Sequence, residues 1–393
     1  MRISDAQIKA AILHPESSVR RCAVEYFALS GSTDPDLMPA VIDSIATHGR
    51  AETLPSLAWA FLLPQSAMSV DWAISELFLA HQSDDEEYAA ALRGILEHAD
   101  AHLLKGKETA LLAAEHPRTS LVDAVRERIE LISWSEDQCW QHLDQLCEEC
   151  RVERDISDDA IAQACYLVEA LSRFDSRCEA RVLKLLAMDA REFDENPLAW
   201  LEPLAIRLAG ALRLDAAIPS LIGRLGEGSA HLVPECTRAL IRIGSPAVLE
   251  SIEARYAQAE PFERMALAEI LERIPGDATV AIIHRLLACE NSEGPRYFLL
   301  GGLLSQFSQE GIPLVRDALL SAGEDPSQEH YDLRGRLLDA CAVMGETFPE
   351  CDAWRAEADL LQPVGVEGRR ASLACDSDRQ PRSLPVSAST LPG

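Results

Sequence analysis

Four side chains that can bind zinc lie within twelve positions of the chain, in the pattern Cys139-x2-His142-x4-Cys147-x2-Cys150. Thiolates and imidazoles are the ligands of structural zinc sites. The same segment also predicts one continuous helix, because Ser135 can cap it and no glycine or proline interrupts residues 137–149. At about 1.5 Å of rise per residue, a helix places the first and last cysteine more than ~15 Å apart, too far to share one ion. We therefore expect no metal here and no cofactor elsewhere.

Two histidines, His98 and His102, lie four residues apart and would share one face of a helix. Zinc proteases use this spacing with a glutamate directly after the first histidine, whereas Ala99 stands there in this chain. We interpret the pair as half-exposed polar residues near a helix end. The chain also lacks Gly-x-Ser-x-Gly, Gly-x4-Gly-Lys-Ser/Thr and Gly-x-Gly-x2-Gly motifs, so its motifs do not predict an enzyme.

Arginine recurs at nearly constant intervals in the second half of the chain. One series has intervals of 31, 30 and 31 residues and consists of Arg224, Arg255, Arg285 and Arg316. A second series has intervals of 29 and 31 residues and consists of Arg213, Arg242 and Arg273. If each interval corresponds to one structural repeat, stacking would turn the two series into rows of guanidinium groups, which bind carboxylate-bearing partners well.

A local explanation of the arginine series is favoured over a row that binds a partner. Arginine is a good helix former and is favoured near a helix C-terminus, so a repeat can contain it for the sake of its own helix. The two explanations differ in what the side chains contact: a partner in the first case, and the same chain in the second.

The elements that would position these arginines are pairs of amphipathic helices. In the unit at residues 232–259, one apolar stripe at helical spacing consists of Leu232, Cys236, Leu240 and Ile243. Gly244 stops this helix, Ser245 can cap the next one, and Pro246 suits its first turn. Ile243, Ile274 and Phe307 end three successive first helices, 31 and 33 residues apart. Helix pairs of this kind must stack on neighbours to bury both faces.

The Ile-Gly-Ser-Pro-Ala-Val turn at residues 243–248 and the run Val-Arg-Arg-Cys-Ala at residues 19–23 resemble HEAT-repeat proteins, particularly the bacterial HEAT-like repeats related to phycobilisome lyases. The resemblance covers residues 14–49 and 197–322 and is loose between 82 and 196. It implies an all-α, armadillo-like α-solenoid of about eight or nine stacked antiparallel helix pairs. We expect an irregular, acidic HEAT-like region at 1–196, a regular array at 197–362 and a disordered tail at 363–393.

The net charge of −28 argues against nucleic acid and anionic membranes as partners, since both require cationic surfaces. The charge is uneven, because residues 1–204 contain 37 acidic against 18 basic side chains. The first residues lack the apolar core of a signal peptide, and the longest apolar run, Leu57 to Leu63, is too short to cross a membrane. Eleven scattered cysteines indicate small core residues in a reducing cytoplasm.

These observations predict a non-catalytic scaffold or adaptor that holds a protein or peptide on the curved surface of a solenoid. The alternative is a lyase- or chaperone-like protein that holds a small chromophore or peptide for modification. One HEAT enzyme family, deoxyhypusine hydroxylase, binds iron through repeated His-Glu dipeptides, and this chain contains no such dipeptide. The oligomeric state and the identity of the partner stay open.

Overall fold

The computed structural model describes residues 2–114, 121–153, 157–174, 176–188, 201–227, 231–321 and 328–361. Within these ranges the chain forms 22 α-helices and a few short 3-10 turns, and the one β-type pairing is an isolated bridge between Arg2 and Ser308. The prediction of an all-α fold is confirmed. The predicted tail at 363–393 and the expected domain boundary at residues 196 and 197 lie outside the described residues.

The first twelve helices are α1 Asp5–Ala10, α2 Ser17–Leu29, α3 Leu37–His48, α4 Arg50–Leu57, α5 Ala67–Gln82, α6 Glu86–His98, α7 Ala101–Leu104, α8 Glu108–Ala114, α9 Leu121–Leu131, α10 Glu136–Glu153, α11 Asp158–Leu171 and α12 Ser176–Leu186. The remaining ten are α13 Glu202–Ala211, α14 Ile218–Gly226, α15 Leu232–Ile243, α16 Pro246–Tyr256, α17 Pro261–Arg273, α18 Asp277–Leu287, α19 Glu293–Ser305, α20 Gly311–Ser321, α21 Gln328–Met344 and α22 Cys351–Leu361. None of the described helices is long and apolar enough to cross a bilayer.

The unit formed by α15 and α16 shows why this sequence folds into helix pairs. Cys236 and Leu240 are completely buried on the stripe that the spacing predicts. Gly244 ends α15 with a φ of +57°, a left-handed conformation that glycine adopts without strain. Ser245 then has extended backbone and Pro246 occupies the first helical position, so the chain reverses within two residues and α16 begins.

The helix pairs stack so that each helix packs on the corresponding helix of the following pair. We call α9, α11, α13, α15, α17, α19 and α21 the inner row, because each packs on the following member of this set. The second helices α14, α16 and α18 pack on one another in an outer row. Contact within the inner row is close, since a Cβ atom added to Gly210 on α13 would meet the Ala239 Cα atom on α15 at 2.7 Å.

Buried polar side chains join neighbouring pairs by binding the carbonyl groups at helix ends. Gln306 is completely buried, and its Nε2 donates to the carbonyl oxygens of Glu272 at 2.9 Å and Ile274 at 3.1 Å, at the end of α17. Arg128 is also buried and donates to the carbonyl of Glu97 at 2.8 Å, in the last turn of α6. Because the last four carbonyls of a helix have no partner within it, these bonds satisfy groups that would otherwise be left unpaired.

The two ends of the described chain pack on each other. Helix α2 lies against α21, and Arg21 Nη2 is 2.8 Å from Asp339 Oδ2. The Ile3 amide donates to the Phe307 carbonyl at 3.3 Å, and the Tyr26 and Phe307 ring centroids are 5.5 Å apart. The N-terminal helices therefore close on the last pairs of the array, a contact that the repeat pattern of the sequence does not predict.

Candidate functional site

The structure pairs every arginine of the first series with a carboxylate of the same chain. Arg224 Nε lies 2.6 Å from Glu202 Oε1 at the start of α13. The other three each make two bonds to one carboxylate, with shortest distances of 2.6 Å for Arg255–Glu263, 2.7 Å for Arg285–Glu253 and 2.7 Å for Arg316–Glu350. Equal spacing in the sequence therefore leads to ion pairs with different neighbouring elements.

The four arginines differ strongly in exposure, and so do the ion pairs. The side chains of Arg224 and Glu202 are only 9% and 5% exposed, whereas those of Arg285 and Glu253 are 57% and 40% exposed. Arg224 also donates to the Leu186 carbonyl at 2.8 Å, which joins α14 to the end of α12. The arginines thus satisfy carboxylates of their own chain, and a partner could reach Arg224 only after the surrounding helices moved.

The arginines of the second series lie in different surroundings. Arg273 pairs with Glu269 one turn earlier on α17, at 3.0 Å. Arg242 is exposed near the end of α15, and Arg213 follows α13 with a φ of +52°. These positions correspond in the repeats, but their side chains have different surroundings.

The zinc candidates lie on one helix, α10, as their spacing predicts. Cys139 and Cys147 are buried in the hydrophobic core, and the His142 ring packs edge-on to Trp134 with centroids 5.4 Å apart. The described residues, which include Cys150, contain no group of three side chains that could hold a metal ion together. His98 similarly packs on Phe61, with ring centroids 4.6 Å apart.

The buried thiols lie in surroundings that favour the protonated form. Burial raises the pKa of Cys147, Cys178, Cys236 and Cys341 to about 12 in each case. Thiolates are the nucleophilic form of cysteine, so these four groups are poor nucleophiles near neutral pH.

A second set of charged side chains crosses the inner row, and we call it the belt: Arg207, Glu235, Arg238, Glu269, Glu272, Arg273 and Arg336. Arg207 on α13 makes two bonds to Glu235 on α15, at 2.9 and 2.7 Å. Arg336 on α21 reaches Glu272 on α17 at 2.6 Å, and its path is open because Gly301 on α19 has no side chain. The Gly301-Gly302 pair thus permits close packing between helices.

Glu269 is the least compensated carboxylate of the belt. Its side chain is 34% exposed and makes an ion pair with Arg273 at 3.0 Å. Burial raises its pKa, and the neighbouring carboxylate of Glu272 acts in the same direction, while Arg273 and Arg238 oppose both. An ionised carboxylate can accept about four hydrogen bonds, so Glu269 has capacity for a further donor.

Half-exposed apolar side chains lie on the same helices, nearer to their N-termini. We call this set the rim: Pro234, Phe262, Met265, Tyr297 and Phe298. On α17, residues 262, 265, 269 and 272 are three to four positions apart, so the rim and the belt share one face of this helix. Phe262 is 55% exposed, and the Met265 side chain packs closely on Gly294 of α19, where an added Cβ would lie 3.2 Å from the Met265 sulfur.

Apart from Arg273, sequence reasoning missed the residues of the belt and the rim. Helix α17 has apolar residues on two faces, and Phe262 and Met265 lie on one of them. The sequence alone does not show which of these faces a neighbouring helix covers. The available signal was the stripe Phe262, Met265, Glu269, Glu272, which repeats at helical spacing beside the buried stripe of Leu267, Ile270 and Leu271.

Comparisons of the chain with protein-family models, with curated proteins and with solved structures find no match.

Proposed function

We propose that this chain is a non-catalytic scaffold of HEAT-like helix pairs that binds a protein or peptide partner in the cytoplasm. The observation that carries the proposal is the rim. Its apolar side chains lie on three successive inner helices, α15, α17 and α19, which are fixed by close packing. Exposed apolar and aromatic groups on a rigid support are typical of protein-binding surfaces, where such groups supply most of the binding energy.

Another exposed apolar surface competes with the rim. Met68, Phe78 and Leu79 on α5 and Leu112 on α8 are 44–51% exposed. This surface includes Leu112, two positions before the described segment 2–114 ends. The rim, by contrast, spans three fully described helices and continues directly into the belt. We therefore assign the partner to the rim and use the α5 surface as the matched control.

The charges support binding over catalysis. Catalysis by general acids, bases or nucleophiles relies on groups whose pKa is tuned towards neutral pH. Here burial raises the pKa of five cysteine thiols away from neutrality, namely those of Cys22, Cys147, Cys178, Cys236 and Cys341. Partner binding by the two rows of arginines stays a prediction, but a carboxylate-bearing partner would have to displace an existing carboxylate from each guanidinium of the first series.

Affinity capture from the native host tests the proposal. Wild-type protein is compared with the double variant Phe262→Ser, Met265→Ser and with the control variant Phe78→Ser, Leu79→Ser, using quantitative mass spectrometry. We expect a partner that the rim variant loses by about tenfold or more and the control variant keeps, since loss of a central apolar anchor costs roughly 2 kcal/mol or more. Equal capture by all three proteins, or loss only with the control, would contradict the proposal.

A further inference from the structure

The inner row continues into the N-terminal helices and closes on itself. Helix α2 packs on α4, α4 packs on α6, and α6 packs on α9, the first helix of the inner row. Because α21 packs on α2, the described helices include a closed ring of ten members: α2, α4, α6, α9, α11, α13, α15, α17, α19 and α21.

The belt lies on the interior side of this ring. On α17, Glu263 bonds Arg255 of the outer helix α16, whereas Glu272 of the belt follows nine positions later, about 180° around the helix. Glu269 is 34% exposed, yet burial raises its pKa, as expected for a group in a recess surrounded by protein. The interior of the ring is therefore a water-accessible surface of charged side chains.

The number of helices limits what the closed ring admits. Packed helices are about 8–10 Å apart, so ten of them give a circumference of about 80–100 Å through their axes. After one helix diameter of about 10–12 Å is subtracted, the opening of a circular ring is at most about 20 Å across. An extended segment or a single helix fits this width, but a folded domain of about 30 Å does not.

The contact between α2 and α21 joins the two ends of the ring. All other neighbours in the ring are connected by a short stretch of chain, whereas α2 and α21 are separated by the whole array, so they can separate without disturbing another contact of the ring. Their contact is polar: Arg21 Nη1 and Nη2 are each 2.8 Å from a carboxylate oxygen, of Glu25 and Asp339 respectively. Arg336 on α21 also attracts Glu25. Polar contacts between parts of one chain behave like transient interfaces, which permit relative motion.

We propose that the contact between α2 and α21 is a clasp that opens and closes, and that it controls the entry of bulky groups to the belt. When the clasp is closed, the ring admits an extended segment or a single helix. When it opens, α2 separates from α21 while the other contacts of the ring persist, and the interior becomes accessible to a folded domain. The clasp acts on the belt and requires no partner on the rim, so its test is separate from that of the proposed function.

A disulfide locks the clasp for the test. Burial raises the pKa of the Cys22 thiol on α2, and the neighbouring Asp339 carboxylate on α21 acts in the same direction. Asp339→Cys therefore places a second thiol beside Cys22, and oxidation joins α2 to α21. The same protein in its reduced form is the matched control, in which the ion pair to Arg21 is also missing. Peptide mapping verifies the disulfide, and thermal melts verify that each form is folded.

Thiol labelling measures entry to the ring. Cys165 on α11 lies at the belt, because its sulfur accepts a hydrogen bond from Arg207 at 2.8 Å. Cys289 is exposed directly after the outer helix α18 and serves as the reference outside the ring. Each protein reacts with N-ethylmaleimide or with a polymer-linked maleimide, and peptide mass spectrometry gives the rates at both cysteines. The rates at Cys289 correct for the different reactivity of the two reagents.

The polymer-linked reagent should reach Cys165 at least about tenfold more slowly in the oxidised Asp339→Cys protein than in the reduced one, since the lock removes the open state. Arg21→Ala weakens the clasp without adding a thiol and should speed this access about threefold or more relative to wild type. Arg285→Ala, which removes an exposed ion pair on the outer helix α18, should leave it unchanged. Equal access in the oxidised and reduced forms, no effect of Arg21→Ala, or no reaction of Cys165 with the polymer-linked reagent in any form would overturn the proposal.

Discussion

Replacing Arg224 by glutamine should destabilise the fold strongly, whereas the same change at Arg285 should be almost silent. The two residues occupy equivalent places in their repeats, so a purely local helix effect would give both changes the same small result. The structure instead places the Arg224–Glu202 pair inside the protein and the Arg285–Glu253 pair at the surface.

The expected magnitudes follow from burial. Removing one member of a buried ion pair leaves an uncompensated charge and typically costs about 3–5 kcal/mol, and the bond from Arg224 to the Leu186 carbonyl is lost as well. An exposed pair contributes only about 0.2–1 kcal/mol because solvent screens it and its side chains lose entropy. We therefore expect a difference of roughly 2 kcal/mol or more between Arg224→Gln and Arg285→Gln.

Urea denaturation monitored by circular dichroism measures this difference, and hydrogen exchange locates it. In Arg224→Gln, amides of α12, α13 and α14 should exchange faster, because these are the helices that the side chain joins. A double variant, Arg224→Met with Glu202→Leu, should recover much of the lost stability, since no buried charge is left unpaired. If Arg224→Gln is as silent as Arg285→Gln, the buried pair carries little stability and the reasoning is wrong.

Three further outcomes are expected. Burial raises the pKa of Glu269, so the folded state binds this proton more tightly than the unfolded state does. The resulting stabilisation is fully present below the unfolded carboxyl pKa of about 4.3. It is lost as the pH rises through the raised pKa of the folded state. Glu269→Gln should therefore raise the melting temperature at neutral pH but hardly at about pH 4, and a drop at neutral pH would contradict this. Cys289 is exposed, whereas Cys22, Cys150 and Cys165 are half-buried and the remaining described cysteines are buried. With Cys375, which lies outside the described residues, replaced by Ser, a thiol reagent should therefore modify Cys289 first, and a fastest phase that survives Cys289→Ser would contradict this order. Arg21→Ala and Asp339→Ala should each increase the hydrogen-exchange rates of α2 amides, and the double variant should exchange no faster than either single variant. Fully additive increases would show that the 2.8 Å ion pair does not couple the two ends of the chain.

Much of the helical pattern could be predicted from the sequence because it depends on neighbouring residues. The stripe and the Gly-Ser-Pro turn around Ile243 predict α15 with its observed ends and place the start of α16 next to Pro246. The single helix predicted to carry both His98 and His102 is divided in the structure, since the Asp100 side chain accepts a bond from the His102 amide and starts a new helix, α7. Local capping thus overrides an otherwise continuous apolar spacing.

The tertiary pairings could not be predicted in the same way. The spacing of Arg224, Arg255, Arg285 and Arg316 shows that the residues are equivalent, but not that their carboxylates come from different neighbouring elements. Arg21 and Asp339 are 318 positions apart, and no repeat or charge pattern connects them. The rim was hidden for a related reason, since its exposure depends on which face of α17 the adjacent helices leave uncovered.

Site-specific photo-crosslinking tests the central claim most directly. A photoreactive phenylalanine analogue is introduced at position 262 in the rim or at position 78 on α5, in the full-length protein within the native host. Both natural residues are exposed phenylalanines, at 55% and 45%, so the reagent samples solvent similarly at the two positions. We expect one major protein adduct from position 262 that is absent from position 78. Adducts from position 78 alone, or the same adducts from both, would contradict a partner site on the rim.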